Sequence, residues 1–213
     1  MCAKNKSICS LCKIVAWCVA LGGYFGPWIS HPAAGLAWNA YDLFDIARLL
    51  PAIETGTLTV NLQALRLPLV GLAVWLPFIT APRWRWGAAL LGVALAASTL
   101  PPYPEIIGSW QTPGWRVPFW WGCGAMLATV LSVLLARREG PWFLLAWTLL
   151  TGLPAYVTFL RLLPTLGALY AATVEPGWGF WLCGLGFLLL TSFTWLTAIT
   201  TETQRLSSQP SGN

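Results

Sequence analysis

The chain has 213 residues, of which 57% are hydrophobic and 9% charged, with 15 Trp and a net charge of +5. A water-soluble domain carries roughly 25% charged residues, so this composition excludes an ordinary soluble globule and points to an integral membrane protein. The positive balance is not a nucleic-acid signal, because basic residues of membrane proteins gather on the cytoplasmic side and their placement matters more than their sum.

Six apolar segments approach the length of about 20 residues that crosses a bilayer. They are expected at Ile14–Ile29, Leu65–Ala81, Trp86–Leu100, Pro118–Ala136, Trp142–Leu160 and Trp178–Ile199. The third is short. Pro68, Pro77 and Pro154 lie in or near spans, where neighbouring helices can satisfy the freed carbonyls. The fold class is therefore all-α, a polytopic bundle of about six helices in three hairpins. Residues 1–13 read as a cytoplasmic tail, 14–200 as the membrane domain with an outer loop at 30–64, and 201–213 as a flexible cytoplasmic tail.

Ahead of the first span, Cys9 and Cys12 form a Cys-x-x-Cys pair among Lys4, Lys6 and Lys13. The two-residue spacing suits a redox pair, a half-complete zinc site or acylation beside a membrane. It equally suits incidental thiols on a short tail. A zinc site needs further ligands, and the only His, His31, falls across the membrane. The first span also has the basic start and short core of a signal peptide. It reads as retained, because it pairs with the second span.

After it, "NAYDLFDIARLLP" is amphipathic. Asn39 is the expected N-cap and Pro51 the stop. Tyr41, Leu43, Phe44, Ile46, Ala47 and Leu50 form an apolar side, with Asp42, Asp45 and Arg48 towards water. A short helix lying on the outer surface follows. It either covers the bundle's end or presents Tyr41, Phe44 and Arg48 to a partner.

Arg66 and Pro68 open the second span, and Arg116 and Pro118 the fourth. "PGWRVPFWWGCG" and "PGWGFWLCGLG" also resemble each other. The likeness reads as a parallel repeat of hairpins or as convergence on Pro and Trp at helix starts. It puts Cys123 and Cys183 at matching places, as packing residues or as a disulfide if their helices touch. Arg66 and Arg161 are the charges nearest the spans and are expected to snorkel to the interface. Interfacial positions are also expected for Trp28, Trp84, Trp86, Trp110, Trp115, Trp142 and Trp178.

With the N-terminus inside, Lys4, Lys6, Lys13, Arg83, Arg85, Arg137, Arg138 and Arg205 are cytoplasmic, against Arg48, Arg66, Arg116 and Arg161 outside. Both termini are thus expected in the cytoplasm, in a plasma or inner membrane. No ionisable group lies near a span's midpoint, where coupled transporters and pumps need one. No phosphate loop, nucleophile elbow or metal motif occurs, and no cofactor is implied. The sequence favours a non-catalytic scaffold or membrane subunit of a larger complex, a transport system being one such complex, whose partners are the bilayer and other subunits or copies of itself. Two alternatives stand beside it. One is a transporter or channel for a neutral or apolar solute, its path lined by Thr191, Ser192, Thr194 and Thr197. The other is a membrane thiol-disulfide oxidoreductase.

Overall fold

In a computed structural model, residues 2–30, 37–108, 110–136, 141–170 and 173–207 are described. Helix forms over every one of the apolar segments: α1 (Cys2–Phe25), α4 (Leu67–Ile79), α5 (Arg85–Ala97), α6 (Pro113–Leu135), α7 (Pro141–Tyr170) and α8 (Trp178–Ser207). Two short helices, α2 (Ala40–Arg48) and α3 (Pro51–Glu54), precede a 3₁₀ turn at Leu62–Arg66 that runs into α4. Four segments are long and apolar enough to cross a membrane: Leu62–Ile79, Pro113–Leu135, Pro141–Leu169 and Trp178–Thr200. The protein is an all-helical, multi-pass membrane protein. Several helices outrun their expected ends. α1 begins well ahead of Ile14, α7 continues through Pro154 and Pro164, and α8 runs on to Ser207.

The closest packing joins the first helix to the last. Ala16, Ala20 and Gly23 lie on one face of α1, at the spacing that repeats along a helix, and meet Gly179, Cys183 and Gly186 of α8. A methyl group on Gly23 would fall on the backbone of Cys183, and one on Gly186 would fall on Ala20. Small residues here let the two backbones approach, as in membrane helix pairs generally.

A two-stranded antiparallel ribbon continues this contact past the helix ends. β1 (Ile29–Ser30) pairs with β2 (Glu175–Pro176). Gly177 N–H donates to Trp28 O at 2.7 Å, and Gly179 N–H to Pro27 O at 2.8 Å. The second bond satisfies an amide that the first turn of a helix leaves without an intrahelical partner.

Trp28 departs from the expected interfacial position. It is 0% exposed and sits against the rings of Tyr156, Phe159 and Phe180 at 5.3–5.5 Å, with Nε1–H donating to Gly23 O at 3.1 Å. The ribbon folds it inward over α7 and α8 instead of leaving it at the rim. Trp84, Trp86, Trp110, Trp142 and Trp178 are exposed as an interfacial belt requires.

α4 is the centre of the bundle. In its spanning segment 78% of residues are buried, against 33–39% in the other three. It packs against α1, α5, α6 and α7. Trp17 Nε1–H of α1 donates to Leu72 O at 2.8 Å, and Trp75 Nε1–H donates to Thr148 Oγ1 of α7 at 3.0 Å. Both of these buried indole N–H groups thus find an acceptor, as a medium without water demands.

Adjacent glycines give a test of the α1–α8 contact. Gly23→Ala forces the helices apart and should cost about 2–3 kcal/mol by overpacking. Gly22 has nothing within 4 Å of an added Cβ, so Gly22→Ala should be neutral or slightly stabilising through helix propensity. Thermal unfolding of the two variants in mild detergent should separate them clearly; equal melting temperatures would refute the contact.

Candidate functional site

One end of the bundle is closed by α2. Asn39 caps the helix, its side chain accepting the Asp42 N–H at 2.8 Å, and Asp42 and Arg48 stand at the ends that suit their charges. The expected amphipathic helix is therefore present, and its apolar side is buried through Ala40, Leu43, Phe44 and Ala47. The Tyr41 hydroxyl reaches across to donate to Ser98 O, just past α5, at 2.8 Å. Backbone bonds from Trp28 N and Ile29 N to Trp38 O hold the helix's approach to the ribbon.

Beneath α2 lies Arg66. Snorkelling to the interface is expected from the sequence, but Arg66 is only 3% exposed. Its guanidinium stacks on the Phe44 ring at 3.6 Å, lies 5.8 Å from the Tyr41 ring, and donates to Thr99 O at 2.6 Å. Asp45 is 3.7 Å away and half-exposed. Burial raises the Asp45 carboxyl above its usual range, against the opposing pull of the Arg66 and Arg48 charges. At 3.7 Å from a half-exposed carboxylate the ion pair is loose, and the aromatic face and the carbonyl are the closer partners. A planar guanidinium can stack and donate sideways at once, which suits it to this place. Its Nε–H has no acceptor among the described residues.

Arg48 repeats the pattern at the rim. It stacks on Trp115 at 4.0 Å and donates to Gly114 O at 3.2 Å, tying α2 to the start of α6. Tyr41, Phe44 and Arg48, the residues that would present a docking face, all turn onto the bundle. Phe44 is 1% exposed, while Leu49 faces outward. The two Arg-x-Pro sequences also take different places. Arg66 is buried ahead of α4, whereas Arg116 lies inside α6 and is exposed. Arg161 is exposed on α7.

Among the described side chains, Cys12, Cys123 and Cys183 lie on three different helices as free thiols. Cys12 is a half-buried free thiol on α1, and Cys9 lies three residues earlier on the same helix. Cys123 is a half-buried free thiol on α6, which packs chiefly against α4 and α5. Cys183 is a fully buried free thiol on α8, against the backbone of Gly23. His31 lies outside the described residues. Among the described residues no three His, Cys, Asp or Glu side chains gather at one place.

The hydroxyls of α8 face their own backbone. Thr191, Ser192, Thr194 and Thr197 donate to the carbonyls of Phe187, Leu188, Leu190 and Phe193 at 2.6–3.1 Å. Such back-bonding removes the donor that a polar path would use. The large spaces lie on the outside of the bundle instead. A groove of about 650 Å³ separates α6 from α7, with Val70 of α4 at its floor and Arg116, Trp120, Trp121, Ala125 and Trp147 on its walls. A second, of about 560 Å³, lies between α7 and α8 and is lined by Gly152, Tyr156, Trp181, Gly184 and Leu188. Their walls include Trp120, Trp121, Trp181 and Leu188, all among the exposed large side chains, so both grooves open sideways. Neither groove was legible in the sequence, since each forms between helices distant from its partners' hydrophobic pattern.

The Arg66 cluster makes a graded prediction. Arg66→Lys keeps the charge but loses the flat contact with Phe44, and should cost about 2–3 kcal/mol, as breaking a buried, hydrogen-bonded cation does. Arg48→Lys, at a half-exposed rim, should cost less than about 1 kcal/mol. Unfolding in mild detergent measures both, and a reversed order would refute the role given to Arg66.

Comparison of the chain with protein families, with curated proteins and with solved structures finds no match.

Proposed function

We propose that this protein is a non-catalytic membrane component, a scaffold or the membrane subunit of a larger complex, with six membrane-crossing helices and both termini in the cytoplasm. The observation that carries this reading is where the open space lies. The described interior is packed and largely apolar, the hydroxyls of α8 are bonded to backbone, and both large grooves open sideways on the membrane-facing surface. Such grooves suit another helix or a lipid. A conduit would instead need a continuous polar route between the ends of the bundle. The second reading is a transporter or channel for a neutral or apolar solute; the lack of a polar route among the described residues weighs against its neutral, polar case.

Six crossings are supported by what meets at the α2 end. The end of α1, the starts of α4, α6 and α8, and the residues after α5 all contribute contacts there. α5 is only 13 residues long, yet it packs along α4 and α6. A reporter enzyme active only outside the cytoplasm, fused after Gln111, should be active, and one fused at the C-terminus should be silent. The opposite pair of results would reverse the topology.

The functional reading is tested by purification from the native host in gentle detergent, followed by mass spectrometry. A stoichiometric membrane partner is expected. A clean monomer that carries out flux alone in proteoliposomes would refute the reading.

A further inference from the structure

We propose that the groove between α6 and α7 is a binding site for one anionic phospholipid, with the phosphate on Arg116 and an acyl chain laid along α6. The inference does not depend on whether the chain is a subunit. It rests on three observations.

The first is polarity at one end only. Arg116 is exposed, lines the groove, and has no acid or carbonyl partner among the described residues. Its neighbours in kind are engaged, since Arg48 bonds Gly114 and Arg66 bonds Thr99. Of the two exposed arginines left at this end, Arg116 and Arg161, Arg116 is the one that lines the groove, and a guanidinium matches a phosphate through paired N–H donors.

The second is the next turn of the helix. Trp120 and Trp121 line the same groove and are 58% and 43% exposed. Neither indole N–H has an acceptor among the described residues. Indoles at this depth donate to the ester carbonyls that lie just below a lipid phosphate, while their rings lie against the chain.

The third is length. From Arg116 to Ala128 the groove follows α6 for about 18 Å at the helical rise, close to the ~15 Å depth of one hydrocarbon leaflet. Below the tryptophans its walls are Gly124, Ala125, Ala128 and Trp147. The volume of about 650 Å³ is of the size that holds a single small ligand or chain.

A helix of a second copy would also cover this surface, and it would offer an acceptor to Trp147 Nε1, which is buried without one. The single cation with two indoles at one mouth favours the lipid.

Gly124 provides a substitution that fills the groove without disturbing the fold, because nothing lies within 4 Å of an added Cβ. Native mass spectrometry of the full-length protein would be titrated with dioleoyl phosphatidylglycerol and with dioleoyl phosphatidylcholine. The wild type should bind one phosphatidylglycerol about tenfold more tightly than phosphatidylcholine. Arg116→Gln should erase that preference while leaving weak binding of both. Gly124→Leu should remove binding of both, and Arg161→Gln should change nothing. Equal affinities for the two lipids, or an Arg116→Gln preference like that of the wild type, would overturn the proposal. So would a dimer that Gly124→Leu dissociates without changing lipid binding, which would assign the groove to a second copy.

Discussion

The close approach of α1 and α8 is the constraint on which the rest of the structure depends. In hydrocarbon, helices gain little by hiding apolar side chains from one another, so association rests on tight packing and on hydrogen bonds. Gly23, Gly179 and Gly186 supply the first by leaving no side chain between the backbones. This contact brings the beginning and end of the chain together. It also places the peptide after α1 beside the peptide before α8, where a short ribbon forms. The ribbon turns Trp28 inward, and Trp28 in turn fills the space among Tyr156, Phe159 and Phe180.

The cap over this end follows from the same geometry. Once Pro27 and Trp28 are fixed, the chain bridges back through Asn39 and lays α2 across the helix ends. A helix placed there would bury whatever opens α4, and what opens α4 is an arginine. The conflict is resolved by chemistry on α2 itself. Phe44 offers a ring face, Tyr41 holds the end of α5 so that the Thr99 carbonyl points inward, and Asp45 stays near without closing a tight pair. The cation is thus held mainly by quadrupole and carbonyl dipole. That arrangement avoids the full desolvation of a second ion.

Much of this architecture was legible in the sequence, and the limits have physical causes. Apolar length located α1 and α4 to α8, and Asn39 with its following periodicity located α2 and its cap, whereas α3 had no signal. Proline was a poorer guide. The fifth span is expected to end at Leu160, but α7 runs on through Pro164 to Tyr170 because a packed neighbour can accept the cost that water would not. Trp28 and Arg66 were both assigned to the interface by residue type, and both are core. Their burial depends on the ribbon and on α2 folding over them, contacts between segments far apart in sequence that no local pattern records. Tyr41, Phe44 and Arg48 read in the sequence as an outward docking face, and in the structure all three contact the bundle. The grooves had no sequence signal beyond the double Trp at 120 and 121.

The helices divide into two kinds by what their buried faces contain. On α6 the buried residues are Pro118, Gly122, Ala125, Thr129, Ser132 and Val133, a narrow stripe of mostly small residues at helical spacing. This stripe is enough to seat α6 against α4 and α5, with Gly122 fitting over Leu100 and Thr129 over Gly92. Most of the larger side chains on α6, including Trp120, Trp121, Leu127 and Leu134, are exposed and point away from the bundle, while Met126 packs inward. α1, α4, α7 and α8 are joined by indole and phenol hydrogen bonds as well as by packing, whereas α6 is held chiefly by its small-residue stripe and by Arg48 at one end. A helix seated through small residues, with most of its large side chains outward, closes the core only along that stripe. Its sequence is better explained by what it presents to the membrane plane.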